Sequence, residues 1–254
     1  MSDAYTGFAG VYDLFMDDIP YDEWCTYVCG LLQKNKITSG IVLDLGCGTG
    51  VFTRLLSAGG YDMIGIDNAP DMLSIAMEQQ SEPSADILYL LQDMREFELY
   101  GTVAAVVSIC DSMNYITEEE DLLQVFKLVN NYLDPGGLFI FDLNTEYKYR
   151  EILGDSVIAE NREEGSFIWE NDYDEATQLN EYALTLFVKE QELYRKYEEV
   201  HVQRAYGLEL VKNLIEQAGM EFVAAYDAFT EEPVREDSER IYILARERGK
   251  LLSE

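Results

Sequence analysis

Within residues 21–34 the apolar side chains Trp24, Val28, Leu31 and Leu32 recur at helical spacing just after Pro20, which predicts a leading helix. From Ile41 the period changes. Ile41-Val42-Leu43-Asp44-Leu45 is a short apolar run followed by glycines, residues 51–58 return to a helical pattern, and 61–66 read as a second strand. The rhythm continues with a helix over 70–79, strands over 87–91 and 103–109, and a helix over 118–132. Asp134-Pro135-Gly136-Gly137 then predicts a turn before a strand over 138–142. Strands alternating with helices in this way build a parallel α/β sheet.

Between residues 155 and 203 the rhythm breaks. Ser166-Phe167-Ile168-Trp169 and Leu184-Thr185-Leu186-Phe187-Val188 are strand-like, with turn-prone Glu163-Glu164-Gly165 and Asp174-Glu175-Ala176-Thr177 between them. The stretch predicts an antiparallel insertion packed over one end of the main sheet. A helix over 207–218 and strands over 221–226 and 240–245 complete the pattern, so that 1–154 and 204–254 form one domain and 155–203 its insertion.

Length and charge narrow the function. A chain of 254 residues suits one α/β domain with an insertion, and no apolar stretch approaches the ~18 residues a membrane span needs. The start Met1-Ser2-Asp3-Ala4-Tyr5 carries neither a basic leader nor an apolar signal core, so a soluble, cytoplasmic protein is expected. The 49 acidic against 18 basic residues give a net charge of -31, which repels a phosphate backbone; no nucleic acid partner is expected. The basic tail Arg246, Arg248, Lys250 reads as a solvated end. The four cysteines read as reduced, with Cys25 and Cys29 as small core residues; with one histidine in the chain a zinc site there would need carboxylates.

The segment Val42 to Gly50 joins a buried strand to a helix, and its glycines let backbone approach a nucleotide-like ligand. Gly46, Gly48 and Gly50 are spaced Gly-x-Gly-x-Gly, unlike the Gly-x-Gly-x-x-Gly of dinucleotide sites, and Asp44 precedes them within the strand. Leu43-Asp44-Leu45-Gly46-Cys47-Gly48-Thr49-Gly50 closely resembles the first motif of the class I S-adenosylmethionine-dependent methyltransferases. The resemblance implies a doubly wound, mostly parallel, seven-stranded Rossmann-like sheet with an antiparallel β insertion after the fifth strand. It implies S-adenosylmethionine as cofactor and S-adenosylhomocysteine as product. Asp44 and the loop of Gly46, Cys47, Gly48 and Gly50 would flank the methionine part of the cofactor.

Asp67 closes the second strand, where a carboxylate can accept both ribose hydroxyls, as the family's acid does at that spot; it could instead cap the next helix, with Asn68 as an alternative cap. In Leu91-Gln92-Asp93-Met94 the resemblance points to Asp93 as acceptor for the adenine amino group and Met94 as a backbone or apolar contact, with Gln92 beside them. Met72 packs either on the adenine or in the core.

The fourth strand runs into Ser108-Ile109-Cys110-Asp111-Ser112-Met113-Asn114-Tyr115, beside the expected methyl group. The stretch matches neither the Asp/Asn-Pro-Pro-Tyr/Phe of amino-purine methylases nor the Pro-Cys of cytosine carbon methylases, so Cys110 reads as a packing residue. Asp111, Asp142 and Asn144, placed just past strand ends, are similar to the oxygen ligands of magnesium-dependent catechol methyltransferases, but loop aspartates also cap, and no metal is expected. The leader Phe8-Ala9-Gly10-Val11-Tyr12-Asp13 with Pro20-Tyr21 resembles a tyrosine-bearing lid, which makes Tyr12 and Tyr21 candidates for the methionine end. Trp169, Tyr173, Tyr182, Phe187, Tyr194 and Tyr197 of the insertion would either wall an acceptor pocket or form the buried face of a sheet.

His201, the single histidine, is either a base or acceptor contact or a structural hydrogen-bonding residue, and Arg204 is expected in an ion pair. His201, Asp111 and Tyr12 are the catalytic candidates. The sequence thus points to methyl transfer onto a nitrogen or oxygen of a small-molecule acceptor by a monomer or homodimer. A non-catalytic cofactor-binding regulator and an RNA methyltransferase are the alternatives.

Overall fold

The helix and strand patterns assemble into one seven-stranded sheet in the computed structural model, which describes residues 20–80 and 87–250. Tyr12 and the rest of the leader before Pro20 lie outside the described residues. In chain order the main elements are α1 (Tyr21–Lys34), β1 (Ile41–Leu45), α2 (Val51–Ala58), β2 (Asp62–Asp67), α3 (Pro70–Glu78), β3 (Leu88–Leu91) and β4 (Val103–Ser108). They are followed by α4 (Glu119–Tyr132), β5 (Leu133–Asn144), the four strands β6 (Val157–Asn161), β7 (Gly165–Asp174), β8 (Leu179–Glu190) and β9 (Leu193–Arg204), then α5 (Leu208–Gln217), β10 (Met220–Asp227) and β11 (Arg240–Glu247). The sheet order is β10-β11-β5-β4-β1-β2-β3. Neighbours pair in parallel from β3 to β5, and β11 runs antiparallel to both β5 and β10.

Both faces of this sheet are buried, because alternate residues feed two separate cores. Leu43, Leu45, Phe139, Phe141, Ile241 and Ile243 pack with α4 and α5, whereas Val42, Val107, Ile140 and Leu244 pack with α1 and α2. Asp44 and Asp142 interrupt the second series at positions that packing alone would make apolar. The strand order reverses between β1 and β4, and in such sheets the ligand crevice lies outside the carboxyl ends at that point.

The insertion is a separate antiparallel sheet, β6-β7-β8-β9. Its register sorts side chains by face. Trp169, Tyr173, Tyr182, Leu184, Tyr197, Glu199, His201 and Gln203 share one face, while Phe187 and Tyr194 fall on the other and leave the set of candidate pocket aromatics.

Several local expectations change. The Asp134-Pro135-Gly136-Gly137 stretch does not separate helix from strand; it bulges out within β5, whose pairing with β4 jumps from Leu133 to Leu138. Asp142 and Asn144 lie inside β5, opposite Tyr242 and Arg240 of β11, and not beyond its end. The basic tail is engaged as well. Lys250 Nζ donates to the carbonyls of Asn130, Asn131 and Leu133 at 2.6 to 2.9 Å, neutralising the carboxyl end of α4, and Arg246 donates to Gly136 and Asn35. Among the described residues no helix is long and apolar enough to cross a membrane.

Candidate functional site

Three strand ends meet at the switch point, and the glycine loop after β1 forms its floor. The N–H groups of Gly46 and Cys47 donate to Ile66 O at 2.8 and 3.0 Å, that of Gly48 to Asp67 Oδ2 at 2.8 Å, and that of Gly50 to Cys47 O at 2.9 Å. These donors are satisfied within the protein, so the loop is not the donor cradle that a phosphate needs. The Gly46 carbonyl receives only a long 3.5 Å contact from Ser112 Oγ. Carbonyl oxygen beside a buried carboxylate is a setting for a cation.

That carboxylate is Asp44, 2% exposed at the end of β1, with Oδ2 accepting the Thr53 hydroxyl of α2 at 2.6 Å. Burial pushes it up to about 7, against the Thr53 hydrogen bond and assisted by the nearby Asp67 charge. Asp67 does two jobs at once. Its Oδ2 holds Gly48 and its Oδ1 accepts the Ala69 N–H at 2.8 Å, so it shapes the loop and the turn that leads into α3, without a capping bond to the helix itself. The capping role suggested for Asn68 is not found: Asn68 is exposed and α3 has no side-chain cap of its own. Burial raises the Asp67 carboxyl in spite of these donors.

The glycines differ in what they permit. A Cβ on Gly46 (φ +86°) would lie 2.7 Å from Ser112 Oγ, whereas one on Gly48 (φ +53°) would meet nothing within 4 Å. Gly48 therefore borders open space. Gly46→Ala is expected to cost about 1–3 kcal/mol of stability, lowering the unfolding temperature by roughly 2–4 °C per kcal/mol. Gly48→Ala carries the same left-handed backbone cost but no side-chain clash, so it is expected to destabilise less than Gly46→Ala and to weaken the ligand more. Thermal unfolding and calorimetry on the pair separate the two effects.

The adenine-side candidates are placed but already occupied. Asp93 receives the Arg95 guanidinium at 2.6 and 2.9 Å, and this pairing, opposed by burial, holds its carboxyl below the usual range. The Gln92 side chain is bonded to the Glu98 backbone, Met72 is buried against Ala69 and Ile75, and Met94 lies partly exposed beside Gly46. Tyr21 packs edge-on against Trp24 at 5.8 Å.

At the end of β4 the backbone is strained, with Cys110 (φ +59°) and Asp111 (φ +53°) both left-handed. A charged cluster holds it there. Asp111 N–H donates to Asp142 Oδ1 at 2.9 Å, and Arg240 of β11 bridges the two carboxylates, bonding Asp111 Oδ1 at 2.7 Å and Asp142 Oδ2. The guanidinium lies between the oxygens that had suggested magnesium ligands, and its carbon is 5.3 Å from the Trp24 ring. Gln203 of β9 donates to Asp111 Oδ2 at 2.6 Å and accepts the Tyr149 hydroxyl at 2.9 Å, which ties the insertion to the reacting end. Asn114 reinforces the tie through Asn144 and the Arg204 carbonyl, and Arg204 itself pairs with Glu119.

His201 is reached from this loop through Tyr115, at 3.1 Å. Arg240, Gln203, Tyr149, Glu199 and Tyr115 are missing from the set that sequence reasoning had singled out. Only the alternation Glu199, His201, Gln203 along β9 carried a signal, a polar period of two on one strand face.

Comparison with known proteins agrees with this geometry. Residues 42–137, which run from within β1 into β5 and include the loops after β1, β2, β3 and β4, match the family model for a methyltransferase domain. The Bacillus subtilis protein YqeM, described as a methyltransferase, is 34% identical over 252 residues, covering 98% of this chain and 99% of YqeM. The dTDP-3-amino-3,4,6-trideoxy-alpha-D-glucopyranose N,N-dimethyltransferase of Streptomyces venezuelae is 29% identical over 136 residues, 53% of this chain and 56% of its own length. The crystal structure of an S-adenosylmethionine-dependent methyltransferase from Clostridium acetobutylicum superposes with a TM-score of 0.87 at 29% identity, covering 96% of this chain and 99% of that one. With the cation-suited loop at its switch point and full-length relatives of one kind, the chain belongs to the class I S-adenosylmethionine-dependent methyltransferases.

Proposed function

We propose that the protein transfers the methyl group of S-adenosylmethionine to a nitrogen or oxygen of a small-molecule acceptor. The observation that carries the small-molecule reading is the polar, aromatic face of the β6–β9 sheet, bonded through Gln203 and Tyr115 to the loop after β4. It would roof the reacting end with hydroxyl, imidazole and amide groups that suit a polar small molecule. The net charge of -31 opposes a polyanion, and the relative from Streptomyces venezuelae is named for an amino sugar nucleotide.

The bound cofactor would supply an electrophilic methyl carbon. Asp44 and the Gly46 carbonyl would hold its ammonium, Asp67 its ribose hydroxyls, and Asp93, once parted from Arg95, its adenine amino group. Positioning and exclusion of water are the tasks of the roof. Incubation of the protein with S-adenosylmethionine and a metabolite extract tests the assignment by mass spectrometry. A gain of one methyl on a small molecule together with S-adenosylhomocysteine is expected; methyl groups appearing only on macromolecules would overturn it.

The Asp44 value adds a pH signature. A carboxyl raised to about 7 in the fold stabilises it fully below its unfolded value near 4 and loses that contribution as pH rises through about 7. Binding a cation requires the ionised form, so S-adenosylmethionine binding at pH 6 is expected to release close to one proton, and affinity to rise as pH approaches 8. Calorimetry in buffers of different ionisation enthalpy reads this directly. Proton release that is absent at pH 6, or that persists in Asp44→Asn, would remove Asp44 from the ammonium site.

A further inference from the structure

A directed chain of hydrogen bonds leads from the loop after β4 into the insertion. Tyr115 Oη lies 2.5 Å from Tyr182 Oη and 3.1 Å from His201 Nδ1, and His201 Nε2 lies 3.2 Å from Glu199 Oε2. The fold fixes these positions. Tyr182 and His201 are direct cross-strand partners, their rings stacked at 4.7 Å and 11°, and Glu199 sits two residues before His201 on the same face of β9.

Chemistry sets the direction of each bond. A carboxylate only accepts, so Nε2 carries a hydrogen; in the form of the ring that can take up a proton, Nδ1 then accepts, Tyr115 donates to it, and the Tyr115 oxygen keeps lone pairs for the Tyr182 hydroxyl. Along these three bonds each hydrogen points toward Glu199. The inner end is closed off, with side chains of His201 and Glu199 only 1% and 3% exposed, while Tyr115 and Tyr182 are half-buried. The tyrosines are therefore the more accessible end of the chain and the imidazole the enclosed one.

We propose that Tyr115, Tyr182 and His201 form a proton relay for the methyl acceptor, and that Glu199 is the positioning residue that fixes the His201 tautomer. The relay rests on the small-molecule function proposed above. The acceptor nitrogen or oxygen gives its proton to the hydroxyl pair as its lone pair forms the bond to carbon, and the Tyr115 proton passes to His201 Nδ1. The electrons of the broken carbon–sulfur bond stay on sulfur, so one positive charge leaves the sulfonium and one appears on the imidazolium beside Glu199. The ring afterwards returns its proton to water through the tyrosines. The relay therefore fits an acceptor that has a proton to lose, an amine or a hydroxyl.

The chain contains one histidine, which makes the tautomer readable without assignment. Long-range proton–nitrogen correlation spectra of the full-length protein, labelled at histidine, are expected to show one neutral form with hydrogen on Nε2 and none on Nδ1. Glu199→Gln is expected to lower the ratio of the two tautomers at least tenfold, and Tyr115→Phe to shift the Nδ1 resonance while Nε2 stays protonated. Hydrogen on Nδ1 in the wild type, or the tautomer mixture of a free imidazole, would overturn the relay whether or not the variants fold. Calorimetric titration with S-adenosylmethionine on the same wild-type sample tests the underlying assignment separately. Absence of binding would overturn both, and binding by a protein with the wrong tautomer would overturn the relay alone.

Discussion

Replacing Asp67 by alanine is expected to weaken S-adenosylmethionine binding at least tenfold in a calorimetric titration. Each charge-assisted hydrogen bond to a ribose hydroxyl contributes about 1.5–3 kcal/mol, and 1.4 kcal/mol is a factor of ten. The loss has a second source. Asp67 also holds the N–H groups of Gly48 and Ala69, so alanine leaves both donors without this acceptor and loosens the loop and the entry to α3. Asp67→Asn divides the two contributions, because an amide oxygen can keep one backbone donor while the charge is gone. Its affinity is expected to fall nearly as far as that of Asp67→Ala with a smaller drop in unfolding temperature. Affinity unchanged in both variants would remove Asp67 from the ribose site and leave it a loop-shaping residue.

The backbone bonds of Asp67 mark where sequence reasoning succeeds and where it stops. The β1 to α3 region was legible because its signals are local: an apolar run, glycines, an acid at the next strand end, Pro70 at a helix start. Ribose binding and helix capping were the two readings of Asp67, and the structure adds a third that neither anticipates: its two oxygens hold the N–H groups of Gly48 and Ala69, while α3 has no side-chain cap. The Asp134-Pro135-Gly136-Gly137 stretch misled for the opposite reason. Turn chemistry is local, and nothing local says whether the chain turns between elements or bulges within one strand. Contacts across sheets were beyond reach altogether. Asp111 meets Arg240 129 residues away and Gln203 92 residues away, and periodicity reports which face is buried, never which charges meet there. In the insertion the aromatic residues were visible, but only the register separates Trp169 and Tyr182 from Phe187 and Tyr194.

Those long-range charges carry the second large prediction. Arg240→Met is expected to destabilise the protein by about 3–5 kcal/mol at pH 7.5, because it strands two carboxylates in a buried site, and to lower the unfolding temperature by roughly 10 °C. The loss is expected to depend on pH in a definite direction. Burial pushes the Asp111 carboxyl up, but Arg240, Lys148 and Gln203 outweigh it and hold the group below the ordinary range. A depressed carboxyl stabilises the fold above its unfolded value near 4, and that contribution disappears as pH falls through the folded value. For Asp142 burial prevails over Arg240 and the carboxyl is raised, so its contribution is present at low pH and lost as pH rises. Without the guanidinium both groups move upward and both favour the protonated form. The gap between variant and wild type should therefore narrow as pH is lowered from 7.5 toward 5, and Asp142→Asn added to Arg240→Met should recover part of it at pH 7.5. A gap that is equal at both pH values would mean that Arg240 supports the fold by packing on Trp24 and not by neutralising the pair. The strained backbone at Cys110 and Asp111 would then need a different anchor, because the Asp111 side chain could no longer be held in place by charge.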